Sequence, residues 1–407
     1  MATSNEQRAA TRRVLIALIG PREDAGRRVL ADERTVAAVD WDWLLERAMT
    51  HRVAALVASR LARCGDSVRL PAALAGRLDE ARAAAAHRAG AAQRTLRELA
   101  AAFHSAGIPF LLVKGSILAE RIYRDPVIRP FFDVDVLVRP DALPAAEGVL
   151  RGWGYHMEGL WPLLGPRPSP PTAIETAERI ARRHYRRVLH NVPYAPSRGD
   201  ERRPIELHWN IVPRWRLRVR DEELWMRTTT ADVAGITVQT LDAEARLIHL
   251  AVHALESWFH GFKLLHLCDV AWTVAMSEPD YRDLWPLARA WGAAYHLELA
   301  LRIVDRLWSV PAARTLLAER QPSIALRTAL RLVGDERVLV DRNTGPTHPW
   351  PRRAAIELVW GIAVRGLRTK LRFSLGRRVA AARWRLARRR DCGAATVDAS
   401  DATHTRR

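Results

Sequence analysis

The segment Asp133-Val134-Asp135-Val136-Leu137-Val138 constrains this chain more than any other. Acid and apolar residues alternate there with a period of two, the repeat of a β-strand, in which residues i and i+2 face the same way. Asp133 and Asp135 then project side by side, while the valines and Leu137 anchor the strand in a sheet. Two carboxylates held this close are costly unless a cation lies between them. Hard divalent cations such as Mg²⁺ take oxygen ligands of this kind.

The flanking sequence extends the pattern. Phe110 to Val113 is a short apolar run that predicts a buried strand. Lys114-Gly115-Ser116 is a turn, and Ile117 to Tyr123 returns to helical spacing. Glycine permits close backbone approach to an anion, and a helix N-terminus offers it free N–H groups. Ser116 adds a hydroxyl donor and Lys114 adds charge. Downstream, Ile205 to Ile211 reads as another strand, with Glu206 and His208 on one face. Glu206 completes a set of three carboxylates with Asp133 and Asp135. Such a set can hold two Mg²⁺ ions against a triphosphate and lower the pKa of an attacking hydroxyl. The chemistry is then in-line attack on the α-phosphate with pyrophosphate leaving, and the protein supplies position and charge.

The rest of the chain frames this unit. Residues from about 8 to 105 carry helical periodicity, with an alanine-rich helix over Ala81 to Ala102 that Gly107 and Pro109 end. Ala142 to Gly152 predicts a helix, Leu160 to Pro171 a loop, Ala173 to Arg183 a helix and Tyr185 to Val192 a strand. A polar turn follows at Ser197 to Arg203. A helix start at Leu241-Asp242-Ala243-Glu244 opens a second helical stretch to about residue 335. The expected fold is α+β, a small mixed-sheet core flanked by N-terminal and C-terminal helical regions. The expected divisions are 1–106, 107–240 for the core, 241–340, a basic amphipathic segment 341–390 that follows a linker at Thr344 to Pro351, and a disordered tail 391–407.

Charge and composition narrow the field less than they first suggest. The net charge of +19 suits a polyanion partner. Only Lys114, Lys263 and Lys370 are lysines, however, and arginine and alanine dominate throughout, the mark of a compositional bias. Much of the charge sits in Arg377 to Arg390. A solvated basic surface is therefore preferred to a nucleic-acid contact, and a surface helix over Arg365 to Arg390 to a membrane-bound one. Cys64, Cys268 and Cys392 form no CxxC pair and no disulfide framework. No apolar run reaches the length that spans a bilayer, and no cleavable leader is evident, so the expected compartment is the cytoplasm. His249 and His253 lie four apart on one helix face, but no HExxH pattern accompanies them. A buried contact between His253 and Asp269 is the preferred reading.

Strand, Gly-Ser at a helix start, Asp-x-Asp strand and third acidic strand together resemble the DNA polymerase β-like nucleotidyltransferase superfamily. Leu112-Val113-Lys114-Gly115, Leu118-Ala119, Tyr123, Arg129, Asp133 to Val138, Leu150 to Tyr155 and Glu206-Leu207-His208-Trp209 resemble more narrowly the uncharacterised nucleotidyltransferase family of bacteria and archaea. The resemblance implies that Gly115 and Ser116 hold a nucleoside triphosphate and that Asp133, Asp135 and Glu206 bind the metals. His253 and Asp269 are similar to recurring positions of that family, and with His208 they are candidates to support the site. Residues 117–132 make a longer spacer than the superfamily commonly has. Arg124 to Pro130 is then an extra loop, from which Arg129 can reach a phosphate. The acceptor stays open: a small molecule, sugar, peptide or protein, or alternatively RNA or a toxin–antitoxin partner. An inactive nucleotide-binding module is the remaining alternative.

Overall fold

A computed structural model of the chain describes residues 4–64, 72–158, 189–197, 199–213, 217–260, 263–276, 281–333 and 336–341. Six helices come first: α1 (Ser4–Ile19), α2 (Glu23–Leu30), α3 (Glu33–Ala37), α4 (Trp41–Thr50), α5 (Ala54–Ala62) and α6 (Ala72–Ser105). Asp32 and Asp40 cap α3 and α4, each accepting a backbone N–H from the first turn. The long α6 buries Leu74, Leu78, Ala85, Ala89, Ala92, Leu96, Leu99 and Phe103, spaced by threes, fours and one double turn, so one stripe faces the core. Gly107 ends it in the left-handed region (φ 65°), which costs a glycine little.

The sheet follows. β1 (Phe110–Leu112) leads into α7 (Gly115–Arg121); β2 (Val134–Val138) precedes α8 (Leu143–Gly152) and β3 (His156–Met157). After them come β4 (Asn191–Ala195), β5 (Ile205–His208), α9 (Asp221–Met226), β6 (Thr228–Val233) and β7 (Ile236–Leu241). The seven strands lie in the order β3-β4-β5-β2-β1-β7-β6. β1 runs antiparallel to β2 and parallel to β7, and β2 runs parallel to β5, so the sheet is mixed. β2 is buried along its whole length, as a central strand should be.

Three expectations shift. The helix expected at Ile117 begins at Gly115, so the turn contracts to Lys114 alone. Of the strand expected over Tyr185 to Val192, residues 185–188 lie outside the described residues; the described strand runs past its expected end, at Asn191–Ala195, where Val192 and Tyr194 alternate inward against β5. The β6–β7 hairpin was not anticipated. Its two-residue turn, Ala234-Gly235, has positive φ at both positions (53° and 76°), the twist that suits a tight hairpin. Glu120 on α7 accepts the Ala234 N–H and steadies that turn.

Helices α10 (Ala243–His260), α11 (Leu264–Met276), α12 (Leu284–Trp291), α13 (Ala294–Trp308), α14 (Pro311–Leu317), α15 (Ile324–Val333) and α16 (Glu336–Val340) complete the described chain. They close back on the first helices. The indole N–H groups of Trp272 and Trp308 donate to the Ile19 and Ile16 carbonyls at the end of α1. His51 Nδ1 accepts the Leu264 N–H, which fixes the tautomer in which Nε2–H donates to the Val340 carbonyl. One apolar cluster runs from Val14 to Val340 and takes in both helical regions and the sheet. Among the described residues no helix is long and apolar enough to cross a membrane. The loop expected at Leu160 to Pro171, the helix at Ala173 to Arg183, the linker at Thr344 to Pro351, the basic stretch Arg365 to Arg390 and the tail 391–407 lie outside the described residues.

Candidate active site

Strand register assembles the site. In the parallel pairing of β2 with β5, Asp135 lies opposite Glu206 and Leu137 opposite His208. Asp135, Glu206 and His208 therefore share one face at the junction of two neighbouring strands. A slip of one residue would turn Glu206 and His208 away. One ligand atom from each of these three lies within 4.8 Å of the others, the kind of donor group that can hold a metal ion. The oxygen and imidazole donors suit a divalent cation.

Lys114 enters this group from the end of β1. Its backbone adopts φ 51° and ψ −117°, an uncommon conformation for a residue with a side chain. The side chain reaches across the sheet end, and Nζ donates to Asp135 Oδ1 at 2.9 Å and Glu206 Oε2 at 2.8 Å. Burial disfavours the ammonium, but the two carboxylates outweigh it and raise the lysine pKa. The same contest runs the other way at Glu206. Burial opposes its charge, yet Lys114 and His208 hold it well below the ordinary range. Asn191 on β4 donates to its second oxygen.

His208 is fully buried, with Nε2 at 3.1 Å from both Asp135 Oδ1 and Glu206 Oε2. Those acceptors require the proton on Nε2. Burial and Lys114 oppose a charge on this ring, but Glu206 and the hydrogen bonds to both carboxylates raise its pKa overall. His190 stacks obliquely against it at 5.7 Å between ring centres.

Asp133 stands beside this group. It precedes β2, is half-buried, and its pKa is pushed up to about 7, first by burial and then by Asp135 and Glu206. An added cation would relieve that carboxyl directly. Gly115 is required for a reason other than backbone freedom. A Cβ there would lie 2.8 Å from Phe131 Cβ and 3.0 Å from an Arg129 nitrogen. Ser116 is buried at the start of α7, and its hydroxyl has no hydrogen-bond partner within the protein.

Arg129 is buried and bound through two nitrogens to Asp269 on α11, at 3.1 and 2.7 Å. Tyr123 donates its hydroxyl to the same carboxylate. The contact expected between His253 and Asp269 is thus replaced. Asp269 is taken by Arg129 and Tyr123, and His253 packs on His266 at 4.8 Å. A guanidinium matches a carboxylate with two parallel bonds, which a single imidazole N–H cannot. The pair locks the loop before β2 against the C-terminal helices and backs the Gly115 bend.

A family model described as uncharacterised nucleotidyltransferase matches residues 37–309. The chain belongs to this family. The matched span holds every strand of the sheet and, beyond it, α4 and α11 on either side, the latter carrying Asp269. Neither a curated protein nor a solved structure matches the chain.

Sequence reasoning did not mark Arg52 or Arg88, which the fold brings to Phe132 beside Asp133, or Lys263, which neighbours Arg52. Arg52 and Arg88 lie over the Phe132 ring at 4.5 and 5.3 Å. The scarcity of lysine was the available signal for Lys263. Of the two described lysines of this arginine-rich chain, Lys114 stands among the carboxylates and Lys263 near Arg52.

Proposed function

We propose that the protein is a metal-dependent nucleotidyltransferase that moves a nucleoside monophosphate group from a nucleoside triphosphate to a hydroxyl or phosphate acceptor. The observation that carries this reading is the convergence of Asp135, Glu206 and His208 on one buried point, within a chain of this family. Asp135 and Glu206 would hold a divalent cation, Mg²⁺ by the chemistry of the carboxylates, with His208 joining them once its Nε2 proton is given up and Asp133 at hand for a second. Bound there, the cation supplies Lewis-acid polarisation of a phosphoryl oxygen and acidifies an acceptor hydroxyl.

The chain's own groups do the rest. Lys114 neutralises Asp135 and Glu206 in the metal-free state and, once displaced from them, offers its ammonium to a phosphate. Ser116 turns its unpartnered hydroxyl to a phosphate oxygen. A carboxylate oxygen not bound to the cation, on Asp133 or Glu206, would accept the acceptor's proton as the bond to the α-phosphorus forms and the bond to pyrophosphate breaks. Arg129, committed to Asp269, positions the Gly115 bend.

The test is incubation of the protein with each labelled nucleoside triphosphate, Mg²⁺ and a cell extract. Pyrophosphate release with label transfer is expected, lost in Asp135→Ala and on chelation. No release from any of the four nucleotides would overturn the reading.

A further inference from the structure

A triphosphate is a polyanion, and the cations nearest the carboxylates are already committed. Lys114 is bonded to Asp135 and Glu206, and Arg129 to Asp269. Metal ions bound there first serve the carboxylates, and Lys114, released by them, brings a single positive charge to a polyanion. Charge for the far end of the triphosphate must come from elsewhere.

The structure places it on one flank. Arg52 follows α4, Arg88 lies on α6, Arg203 precedes β5 and Lys263 precedes α11, so four separate parts of the chain contribute. Three of them gather around Phe132, the residue next to Asp133, and Lys263 neighbours Arg52. Arg52 and Arg88 stack on its ring at 4.5 and 5.3 Å, and Arg203 donates to its carbonyl at 2.9 Å. Lys263 lies within electrostatic reach of Arg52, and Arg88 of Arg203, so like charges face one another. None of the four forms a salt bridge to a carboxylate of the described residues, in a protein where most buried or half-buried arginines do. The buried Nε–H groups of Arg88 and Arg203 find no acceptor. Among the described residues Asp133 is the one carboxylate within electrostatic reach, and it acts on Arg52; four cations against that single distant carboxylate raise the energy of the free protein and mark a place where an anion lowers it.

We infer that Arg52, Arg88, Arg203 and Lys263 form an anion-binding face that receives the β- and γ-phosphates of the nucleotide, an assignment that rests on the transferase reading above. The same chemistry would fit a phosphorylated acceptor. Contiguity with Asp133 through Phe132 favours the nucleotide, whose reacting phosphate would lie at the cation held by the carboxylates while the tail extends beyond it.

Titration calorimetry of the full chain with magnesium tripolyphosphate tests this without requiring turnover. Arg52→Gln and Lys263→Gln should each weaken binding by roughly tenfold, and the pair by more, because each loses one charge-assisted contact. Lys263→Arg should restore it. Arg82→Ala, an exposed arginine on α6 away from this face, should leave it unchanged. Arg52 is exposed and Lys263 half-buried, so the variants should melt with the native protein. Native-like affinity in both glutamine variants overturns the assignment and leaves the face to an anionic acceptor. Failure of the native protein to bind tripolyphosphate also overturns it. Loss of nucleotide turnover with tripolyphosphate binding and its variant pattern intact would sink the transferase reading alone.

Discussion

Lys114→Met isolates what the ammonium does in the centre. The substitution keeps the length and apolar stem of the side chain and removes the charge that bonds Asp135 at 2.9 Å and Glu206 at 2.8 Å. The side chains of Lys114, Asp135 and Glu206 are only 10%, 5% and 22% exposed, so water compensates little for the loss. Removing one partner of a buried ion pair costs about 3–5 kcal/mol. At about 2 °C per kcal/mol for a cooperative unit of this size, the melting temperature should fall by roughly 6–10 °C in metal-free buffer. Mg²⁺ should then raise the variant's melting temperature more than the native protein's, since an added cation in the variant need not displace an ammonium. Differential scanning calorimetry with and without Mg²⁺ reads both quantities. A variant that melts with the native protein, or that gains no more from Mg²⁺, would refute the view that lysine and metal ion answer the same carboxylates.

Other consequences can be checked singly. Gly115→Ala should cost roughly 1–3 kcal/mol in urea unfolding and lower turnover, because the new methyl meets Phe131 at 2.8 Å and must move the bend. Asp269→Asn strips the counter-charge from buried Arg129 and should cost about 3–5 kcal/mol, while Tyr123→Phe at the same carboxylate should cost only about 1 kcal/mol. Stability should also decline as pH falls below about 6.5. His51 has its pKa lowered to about 4 and His266 to about 3, chiefly by burial, so the unfolded chain takes up protons that the folded chain refuses between those values and 6.5. For His51 alone that is about 3 kcal/mol, fully lost by pH 4. Asp133 and His208, whose pKa values are raised, oppose the trend; chemical unfolding at pH 7.5 and 5 gives the balance, and His51→Gln should flatten the slope.

Much of the sheet's centre was legible because local pattern and tertiary role agree there. The period-two alternation of Asp133 to Val138 and of Ile205 to His208 marks strands whose apolar residues are buried and whose polar ones meet at the site. What the pattern does not contain is which strands pair. Asp135 opposite Glu206 follows from the β2–β5 register, and nothing local in either strand specifies it. His208 shared a face with Glu206 on spacing alone, yet its place among the ligand atoms depends on the same register. The hairpin at Thr228 to Leu241 was missed although Ala234-Gly235 carries a turn signal, since Ala is an uncommon residue at positive φ. The preference for a His253–Asp269 contact failed because helical spacing says which residues share a face and not what faces them. Arg129, remote in sequence, offered Asp269 a better match.

That last pairing bears on how the site is built. A sheet end alone exposes carboxylates that repel one another, and strands fix only their register. Phe131 and Phe132, on the segment leading into β2, set the Gly115 bend and the cationic flank, and that segment has no strand hydrogen bonds of its own to hold it. Arg129 anchors it to α11, Arg203 clasps Phe132 from the β5 side, and Arg52 and Arg88 close on the same ring from the N-terminal helices. The flanking helices therefore do more than bury apolar surface, since each supplies a charge to a segment the sheet cannot position. The span of the family match, from residue 37 to 309, includes all of these contributors and not the sheet alone. If the helices were mere cover, Asp269→Asn would change stability and leave the affinity for Mg²⁺ and tripolyphosphate of the still-folded protein untouched. If they position the site, both affinities should fall with it.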